Sequence, residues 1–236
     1  MRGDQIVRWA QDLLLVNDEP VDLWNYQRRA LADFSLRKQL WWGRRTGKTF
    51  TAAIETLFWA FNPDEWSGNN LKILVLCPQK MHVECFFDRL RTFISDSGLD
   101  SAVERNKRGS PQVLEIKIPG RTEICRIVGF ANSRLAARGQ DADLIVLDEA
   151  DYQEDGVLEI ALPILFTHSK TRLLSAGTPI RPNSRTMGSF RNSPDFSNHL
   201  VMSQARPDWD EIGPQITKDV GEDSEFWKRN ICAYLN

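Results

Sequence analysis

The chain has 236 residues, 42% of them hydrophobic and 26% charged, with a formal net charge of −2. This length buries one large core, or a core plus a small subdomain, and the balance excludes a disordered polymer. It also argues against strong non-specific DNA binding by the whole surface, which needs Lys and Arg to neutralise phosphates, although a local basic face is allowed. No apolar run reaches the length of a membrane span, and the N-terminus lacks the basic-then-apolar pattern of a signal peptide, so nothing directs the chain out of the cytosol. Cys77, Cys85, Cys125 and Cys232 form no Cys-x-x-Cys pair. With His82, His168 and His199 they give no metal-ligand spacing, and they read as four reduced, buried thiols.

In chain order, Asp4 to Val16 carries Ile6, Val7, Leu13 and Leu14 at helical spacing. Pro20 interrupts it, and Leu23 to Arg37 predicts a second helix. Gln39 to Trp42 is a short apolar strand, and Lys48 to Phe61 a helix ended by Asn62-Pro63. Leu71 to Cys77 reads as a buried parallel strand and Gln79 to Asp96 as a helix. Val113 to Ile118 and Arg121 to Val128 flank Pro119-Gly120 as a hairpin. Asp143 to Leu147 and Thr171 to Ser175 are further strands, with a helix over Val157 to Phe166 between them. From Thr178 to about Asn198, Pro, Ser, Asn and Arg predict a loop-rich connection, followed by helices near Asp208 to Val220 and Asp223 to Leu235. Gly213-Pro214 interrupts the first of these. Strands alternating with helices imply a parallel sheet covered on both faces.

The strongest local signal is Trp42-Gly43-Arg44-Arg45-Thr46-Gly47-Lys48-Thr49. A Gly-Lys-Thr at a helix start can cradle a nucleotide triphosphate: backbone N–H groups face the phosphates, Lys48 reaches the β/γ oxygens and the Thr49 hydroxyl can sit on Mg²⁺. The usual pattern has Gly where Trp42 stands; here Gly43 comes one place later, and Arg44-Arg45 fill the loop. The second signal is Leu144-Ile145-Val146-Leu147-Asp148-Glu149-Ala150. An apolar strand ending in two acids places both carboxylates at the edge of the sheet where ligands bind in open α/β folds. Asp148 can hold the metal, directly or through water, and Glu149 can polarise the water that attacks the γ-phosphate. Ser175-Ala176-Gly177-Thr178-Pro179 is either a sensor of that phosphate or an ordinary turn.

Tyr26 and Gln27 precede the loop. They either stack on and pair with adenine, or are a core-facing Tyr beside a surface Gln. One of Arg44 and Arg45 can stabilise transition-state charge in cis, since a guanidinium binds phosphate oxygens bidentately; Arg45 can equally turn outward to a surface acid. Arg138, in Arg134-Leu135-Ala136-Ala137-Arg138-Gly139, either serves a neighbouring subunit or pairs with Asp141 or Asp143. Lys107-Arg108 with Arg121 and Arg126, and Arg181 with Arg185 and Arg191, either touch DNA or are solvated faces. Trp41 and Trp42 read as core, and Trp209 and Trp227 as packing residues of the last helices.

The order of these motifs (a Gln-bearing helix, an Arg-rich deviant loop, a hairpin, Arg138-Gly139, Asp148-Glu149-Ala150 and the Thr178 turn) resembles the ATPase domain of the large terminase subunit, the DNA-packaging motor of tailed bacteriophages. Glu225-Phe226-Trp227-Lys228-Arg229 resembles the helix that closes that region. The resemblance implies a RecA-like α/β three-layer P-loop ATPase with a mainly parallel central sheet. Residues 1–178 would form the core, with an N-terminal helical segment at 1–38, and 179–236 a linker and small C-terminal lid subdomain. It further implies ATP and Mg²⁺ as cofactors, with Tyr26, Gln27, Gly43, Arg44, Arg45, Thr46, Gly47, Lys48 and Thr49 at the nucleotide and Thr49 with Asp148 at the metal. Glu149 would be the base, Arg44 the cis arginine finger, Arg138 an arginine acting in trans, and Thr178 the residue coupling hydrolysis to motion. Implied partners are double-stranded DNA, the portal of the procapsid, the small terminase subunit and further copies in a ring on the capsid, with a monomer in isolation and no membrane. The implied place is the host cytoplasm during virion assembly. Family members continue into an RNase H-like nuclease, whose acidic cluster is not in these 236 residues, so the chain reads as a piece of a longer protein that hydrolyses ATP without cutting DNA.

Two other readings compete. Asp148-Glu149-Ala150-Asp151 also spells the signature of a superfamily 2 helicase or translocase, although such proteins carry small residues where Arg44-Arg45 stand. A non-enzymatic binding module would leave Lys48, Asp148 and Glu149 idle.

Overall fold

A computed structural model describes residues 4–62, 70–131, 141–153, 159, 163–165, 170–181 and 185–234. The elements run α1 (Gln5–Leu13), β1 (Leu15–Val16), β2 (Glu19–Pro20), α2 (Asn25–Ala32), β3 (Arg37–Trp42), α3 (Lys48–Phe61), β4 (Leu71–Cys77), α4 (Lys80–Asp96), β5 (Val103–Lys107), β6 (Gln112–Ile116), β7 (Cys125–Ala131), β8 (Leu144–Asp148), β9 (Arg172–Gly177), α5 (Arg185–Arg191), β10 (Ser197–Val201), α6 (Trp209–Val220) and α7 (Glu225–Asn230). An eight-stranded sheet has the order β10-β3-β9-β8-β4-β7-β6-β5. β10 through β7 are mutually parallel. β6 and β5 extend the sheet in antiparallel fashion.

The central strands are short runs of apolar residues because both of their faces are covered. Alternate side chains go to opposite layers, as the two-residue period of a strand requires. Leu40, Trp42, Ile73, Val75, Leu144, Val146 and Leu174 pack with α1 to α4. Trp41, Leu74, Leu76, Ile145, Leu147 and Leu173 pack with Met187 and Phe190 of α5 on the other side. A third, smaller cluster joins Trp227, Ile231 and Cys232 to Trp209, Ile216 and Val220 near the C-terminus. Both loop-flanking tryptophans are thus core, and Trp209 meets Trp227 edge-on at 5.9 Å.

Helix α3 is unusual in being buried on every side from Thr51 to Ala60. It lies against the sheet and is enclosed by α1, α2 and α4. At the start of β3, Lys38 reaches into this layer. Its ammonium meets the Glu55 carboxylate of α3 at 2.8 Å, and donates to the carbonyls of Ala30 at 2.7 Å and Asp33 at 2.8 Å. The strand that enters the Gly43 loop and the helix that leaves it are therefore tied by one fully satisfied buried ion pair.

Several expectations need correction. The first helix stops at Leu13 and not Val16, because Asn17 and Asp18 adopt positive φ (53° and 64°) and turn the chain into the β1–β2 hairpin; Asn and Asp tolerate this region, which a two-residue hairpin turn requires. The second helix spans only Asn25–Ala32. In the stretch expected to be loop-rich, α5 forms, and β10 follows and pairs with β3 at the sheet edge. The polar sequence Ser-Asn-His-Leu-Val hid that strand. β5 was hidden in the same way, since four of its five residues are exposed. Gly213-Pro214 does not break α6, which carries Pro214 inside it. Cys77, Cys125 and Cys232 are buried and, among the described residues, in no disulfide, but Cys85 is exposed. The helix expected over Val157 to Phe166 lies mostly outside the described residues.

Because Lys38 and Glu55 side chains are 1% and 5% exposed, removing one partner leaves an uncompensated buried charge. Glu55→Ala is expected to cost about 3–5 kcal/mol in urea unfolding. A loss below about 1 kcal/mol, the range of exposed pairs, would show that the pair does not tie strand to helix.

Candidate active site

The loop between β3 and α3 reverses direction at two residues of positive φ, Arg45 (58°) and Gly47 (79°). Gly47 is required twice over: its φ disfavours a side chain, and a Cβ there would lie 2.4 Å from the Gln27 amide nitrogen. Gln27 is buried and braces the loop. Its amide nitrogen is 3.4 Å from the Thr46 carbonyl and its amide oxygen accepts from the Trp24 N–H at 2.9 Å. The Tyr26 hydroxyl donates to the same Thr46 carbonyl at 3.1 Å, and its ring stands edge-on to Trp42 at 5.1 Å. Both Gln27 amide atoms are thus engaged within the chain, and an adenine edge would compete with these bonds. An open groove of about 450 Å³ lies beside Tyr26, lined also by Arg29, Leu200, Met202 and Gln204.

Lys48, the first residue of α3, is 6% exposed. Its ammonium donates to the Gly43 carbonyl at 2.9 Å and to the Thr178 hydroxyl at 2.8 Å. That hydroxyl in turn donates to the Trp42 carbonyl at 3.1 Å, and Thr46 closes the loop through its hydroxyl to Gly43 at 2.8 Å. Burial pulls the Lys48 pKa below its ordinary value; the Glu149 and Asp148 carboxylates oppose this and the Arg44 charge adds to it. The acids come from the end of β8. Asp148 is 3% exposed and its carboxylate oxygens lie 3.1 and 3.3 Å from the Thr49 hydroxyl. Burial, and then repulsion from Glu149, push Asp148 up to about 7. Glu149 itself sits at φ 50° and is half-buried. Among the described residues its carboxylate has no hydrogen-bond partner, which leaves it able to accept from a water.

The structure therefore gathers Gly43, Thr46, Gly47, Lys48, Thr49, Asp148, Glu149 and Thr178 at one carboxyl edge of the parallel sheet. Arg44 and Arg45 are both exposed residues of the loop. Arg138 lies outside the described residues, as does the segment Arg134 to Gly139. Of the arginines considered for DNA, Arg108 pairs with Asp88 and Arg126 with Glu115, and the Arg191 guanidinium lies 5.0 Å from the Trp41 ring centroid.

Two contributors were not singled out by sequence reading. The Asp151 carboxylate accepts the backbone N–H of Ile180 at 3.0 Å and of Met187 at 2.9 Å, which ties the turn after the acid pair to the segment after Thr178. From the C-terminal end, Asn230 of α7 reaches the loop. Its side-chain oxygen lies 2.5 Å from Arg44 Nε, and its carbonyl accepts the Arg44 N–H at 2.7 Å. The fourth letter of Asp148-Glu149-Ala150-Asp151 hinted at the first. No local pattern marks the second.

No protein-family model matches the chain, and no curated protein matches it in sequence. Solved structures do match. The ATPase domain of the Thermus phage P74-26 large terminase superposes with a TM-score of 0.69 at 18% identity, covering 90% of this chain and 93% of that one. The HK97 bacteriophage large terminase gives 0.78 at 16% identity over 98% of this chain and 55% of its own. The large terminase of a thermophilic bacteriophage, in complex with ADP, gives 0.65 at 11% over 84% and 48%. The chain thus spans about half the length of the HK97 protein and of the ADP-bound one. The UvsW helicase of bacteriophage T4 is a more distant likeness, at 0.53 and 12% identity. The chain has the RecA-like α/β fold of phage large terminase ATPase domains, with helices on both faces of a mostly parallel sheet.

Asp148 titrates in different pH ranges in the folded and the unfolded chain. Between about pH 4, the ordinary carboxylate range, and about pH 7, the folded chain holds a proton that the unfolded chain releases. The folded state is favoured at the acid end and loses that contribution as pH rises through 7. In chelator, the stability advantage of Asp148→Asn over the wild type is expected to widen by about 2–3 kcal/mol from pH 5 to pH 8. A pH-independent difference in urea midpoints would refute the shift.

Proposed function

We propose that this chain hydrolyses Mg²⁺-bound ATP as the ATPase part of a phage DNA-packaging motor of the large terminase kind. The observation that carries the reading is the convergence on Lys48: a buried ammonium at a helix start, held by the loop and by Thr178 and facing two acids, within the terminase ATPase fold. A cluster of cation, paired carboxylates and a turned loop is what phosphoryl transfer asks of a protein, since the chemistry needs positioning and charge stabilisation more than covalent help.

The donor set at Asp148 and Thr49 suits a hard divalent cation, because a buried carboxylate beside a second acid concentrates negative charge and both donors are oxygens. When bound, Mg²⁺ would neutralise charge on the β- and γ-phosphates. The chain's own residues would do the rest. The loop N–H groups and Lys48 hold the phosphates. Glu149 accepts a proton from the attacking water. Arg44 supplies positive charge in cis and Arg138 in trans, while Arg45 lines the phosphate side or turns to solvent. Tyr26 flanks the groove offered to the base, with Gln27 behind it bracing the loop. When phosphates draw Lys48 toward them, the Thr178 hydroxyl loses its donor, and the bonds from Asp151 carry that change to Ile180 and Met187.

On this reading the work is translocation of double-stranded DNA into a procapsid, by a ring of copies seated on the portal and supplied with DNA by a small terminase subunit in the host cytoplasm. No helix among the described residues is long and apolar enough to cross a membrane. The helicase alternative draws on the Asp148 to Asp151 signature and on the weaker likeness to UvsW; strand separation without packaging would favour it.

Glu149→Ala is expected to lower kcat by about 10²–10⁴-fold while leaving nucleotide affinity unchanged, and Lys48→Ala to lose nucleotide binding as well. Steady-state phosphate release and titration with a fluorescent ATP analogue separate the two. Normal turnover by Glu149→Ala would remove that residue as the base, and Mg²⁺-independent turnover would remove the ATPase reading.

A further inference from the structure

We infer that Asn230, the last residue of α7, is a positioning residue for the Arg44 guanidinium and sets the competence of the loop arginine through its side-chain contact. The inference rests on the ATPase reading above. Arg44 is held at three points. Its N–H donates to the Asn230 carbonyl at 2.7 Å, its Nε to the Asn230 side-chain oxygen at 2.5 Å, and its carbonyl accepts the Ser203 hydroxyl at 2.8 Å. Ser203 is itself fixed to the same C-terminal segment, with its hydroxyl 3.1 Å from the Asn230 carbonyl and its N–H donating to Ile231 at 2.8 Å.

The orientation of the Asn230 amide follows from its partners. Its nitrogen donates to the Phe226 carbonyl one turn earlier at 3.0 Å. A flipped amide would set two donors against each other at Arg44 and two acceptors at Phe226, so the oxygen faces the guanidinium. Asn230 is 5% exposed whereas Arg44 is exposed, so the amide belongs to the packed interior and the arginine reaches from it to the surface. A guanidinium is a planar fork with five N–H groups. Engaging Nε sets the plane of that fork, and among the described residues neither terminal nitrogen of Arg44 has a hydrogen-bond partner. The pair that can bind phosphate oxygens bidentately is therefore left free.

The packing beneath allows little slack. A Cβ on Gly43 would fall 2.4 Å from the Ser203 hydroxyl and 2.7 Å from the Ile231 carbonyl, so loop and C-terminal segment touch backbone to backbone. The same segment is anchored beside the acid pair, where Arg229 bonds the Tyr152 hydroxyl, and beside the Thr178 turn, where the Tyr234 hydroxyl lies 3.3 Å from the Ile180 carbonyl.

The test compares Asn230→Ala, Arg44→Ala, the double variant and Ser224→Ala. The last removes the side-chain cap at the opposite end of α7, which accepts the Trp227 N–H at 3.1 Å, and so controls for a general loss of stability without touching the contact. Expected for Asn230→Ala is a kcat lowered by about 10- to 100-fold, the scale of a misplaced catalytic group, with unchanged ADP affinity and no further loss on the Arg44→Ala background. Ser224→Ala should turn over normally. In parallel, the Arg44 Nε–H resonance, assigned by its disappearance in Arg44→Ala, should be protected from solvent exchange in the wild type and exposed in Asn230→Ala. Wild-type or faster turnover by Asn230→Ala, additive losses in the double variant, a matching loss in Ser224→Ala, or an unprotected Nε–H would each overturn the inference. Hydrolysis indifferent to Lys48→Ala would instead overturn the ATPase reading, and the exchange measurement would still decide whether Asn230 holds Arg44.

Discussion

A lysine ammonium that is almost fully buried must be surrounded by acceptors, and the architecture around Lys48 is organised by that requirement. The Gly43 carbonyl and the Thr178 hydroxyl provide two of them, and Asp148 and Glu149 provide opposing charge nearby. These groups come from three separate strands. They meet because β9 lies between β3 and β8 and all three run in the same direction. In an antiparallel arrangement, the turn after β9 would lie at the opposite end of the sheet from the loop after β3. Parallel order is thus a condition for the charge cluster, and the apolar runs that make parallel strands stable are a condition for that order.

The parts of this arrangement legible in the sequence are those whose chemistry and geometry are local. Lys48 to Phe61 and Leu71 to Cys77 form over the residues expected, because a helix start with Gly-Lys-Thr and a seven-residue apolar run each state their own structure. The hairpin around Pro119-Gly120 was also visible, although its second strand begins at Cys125 and not Arg121. Elements at the margins were not visible. β10 is a polar edge strand made stable by partners far away in sequence: His199 by Asp33 at 2.9 Å, and Asn198 by Gln39 at 2.9 Å. Nothing near Asn230 marks it as a neighbour of residue 44, because the contact spans 186 positions. Gln27 illustrates a subtler gap: that its amide bonds Trp24 and Thr46 and so braces the loop depends on how α2 packs against that loop, which its local sequence does not state.

The likeness to terminase ATPase domains at 18% identity or less has a physical reading. Burial on both sides of a sheet constrains hydrophobic character and volume much more than residue identity. A fold of this kind therefore persists while its sequence drifts. What drift cannot replace freely are groups fixed by several contacts at once. Gly47, confined by both its φ and the Gln27 amide, and Lys38, with three satisfied bonds in the core, are two such positions.

Helix α3 has no free face. A rod enclosed by the sheet behind it and by α1, α2 and α4 around it cannot roll or slide without opening a core that is packed as densely as a crystal. It therefore acts as a fixed mount for the loop between β3 and α3. The C-terminal helices, by contrast, pack around a small cluster of their own, Trp227, Ile231 and Cys232 with Trp209, Ile216 and Val220. Lys48 and Thr49, which open α3, are held by the core and not by the surface, so the position of the loop that precedes them is inherited from the packing of the whole layer.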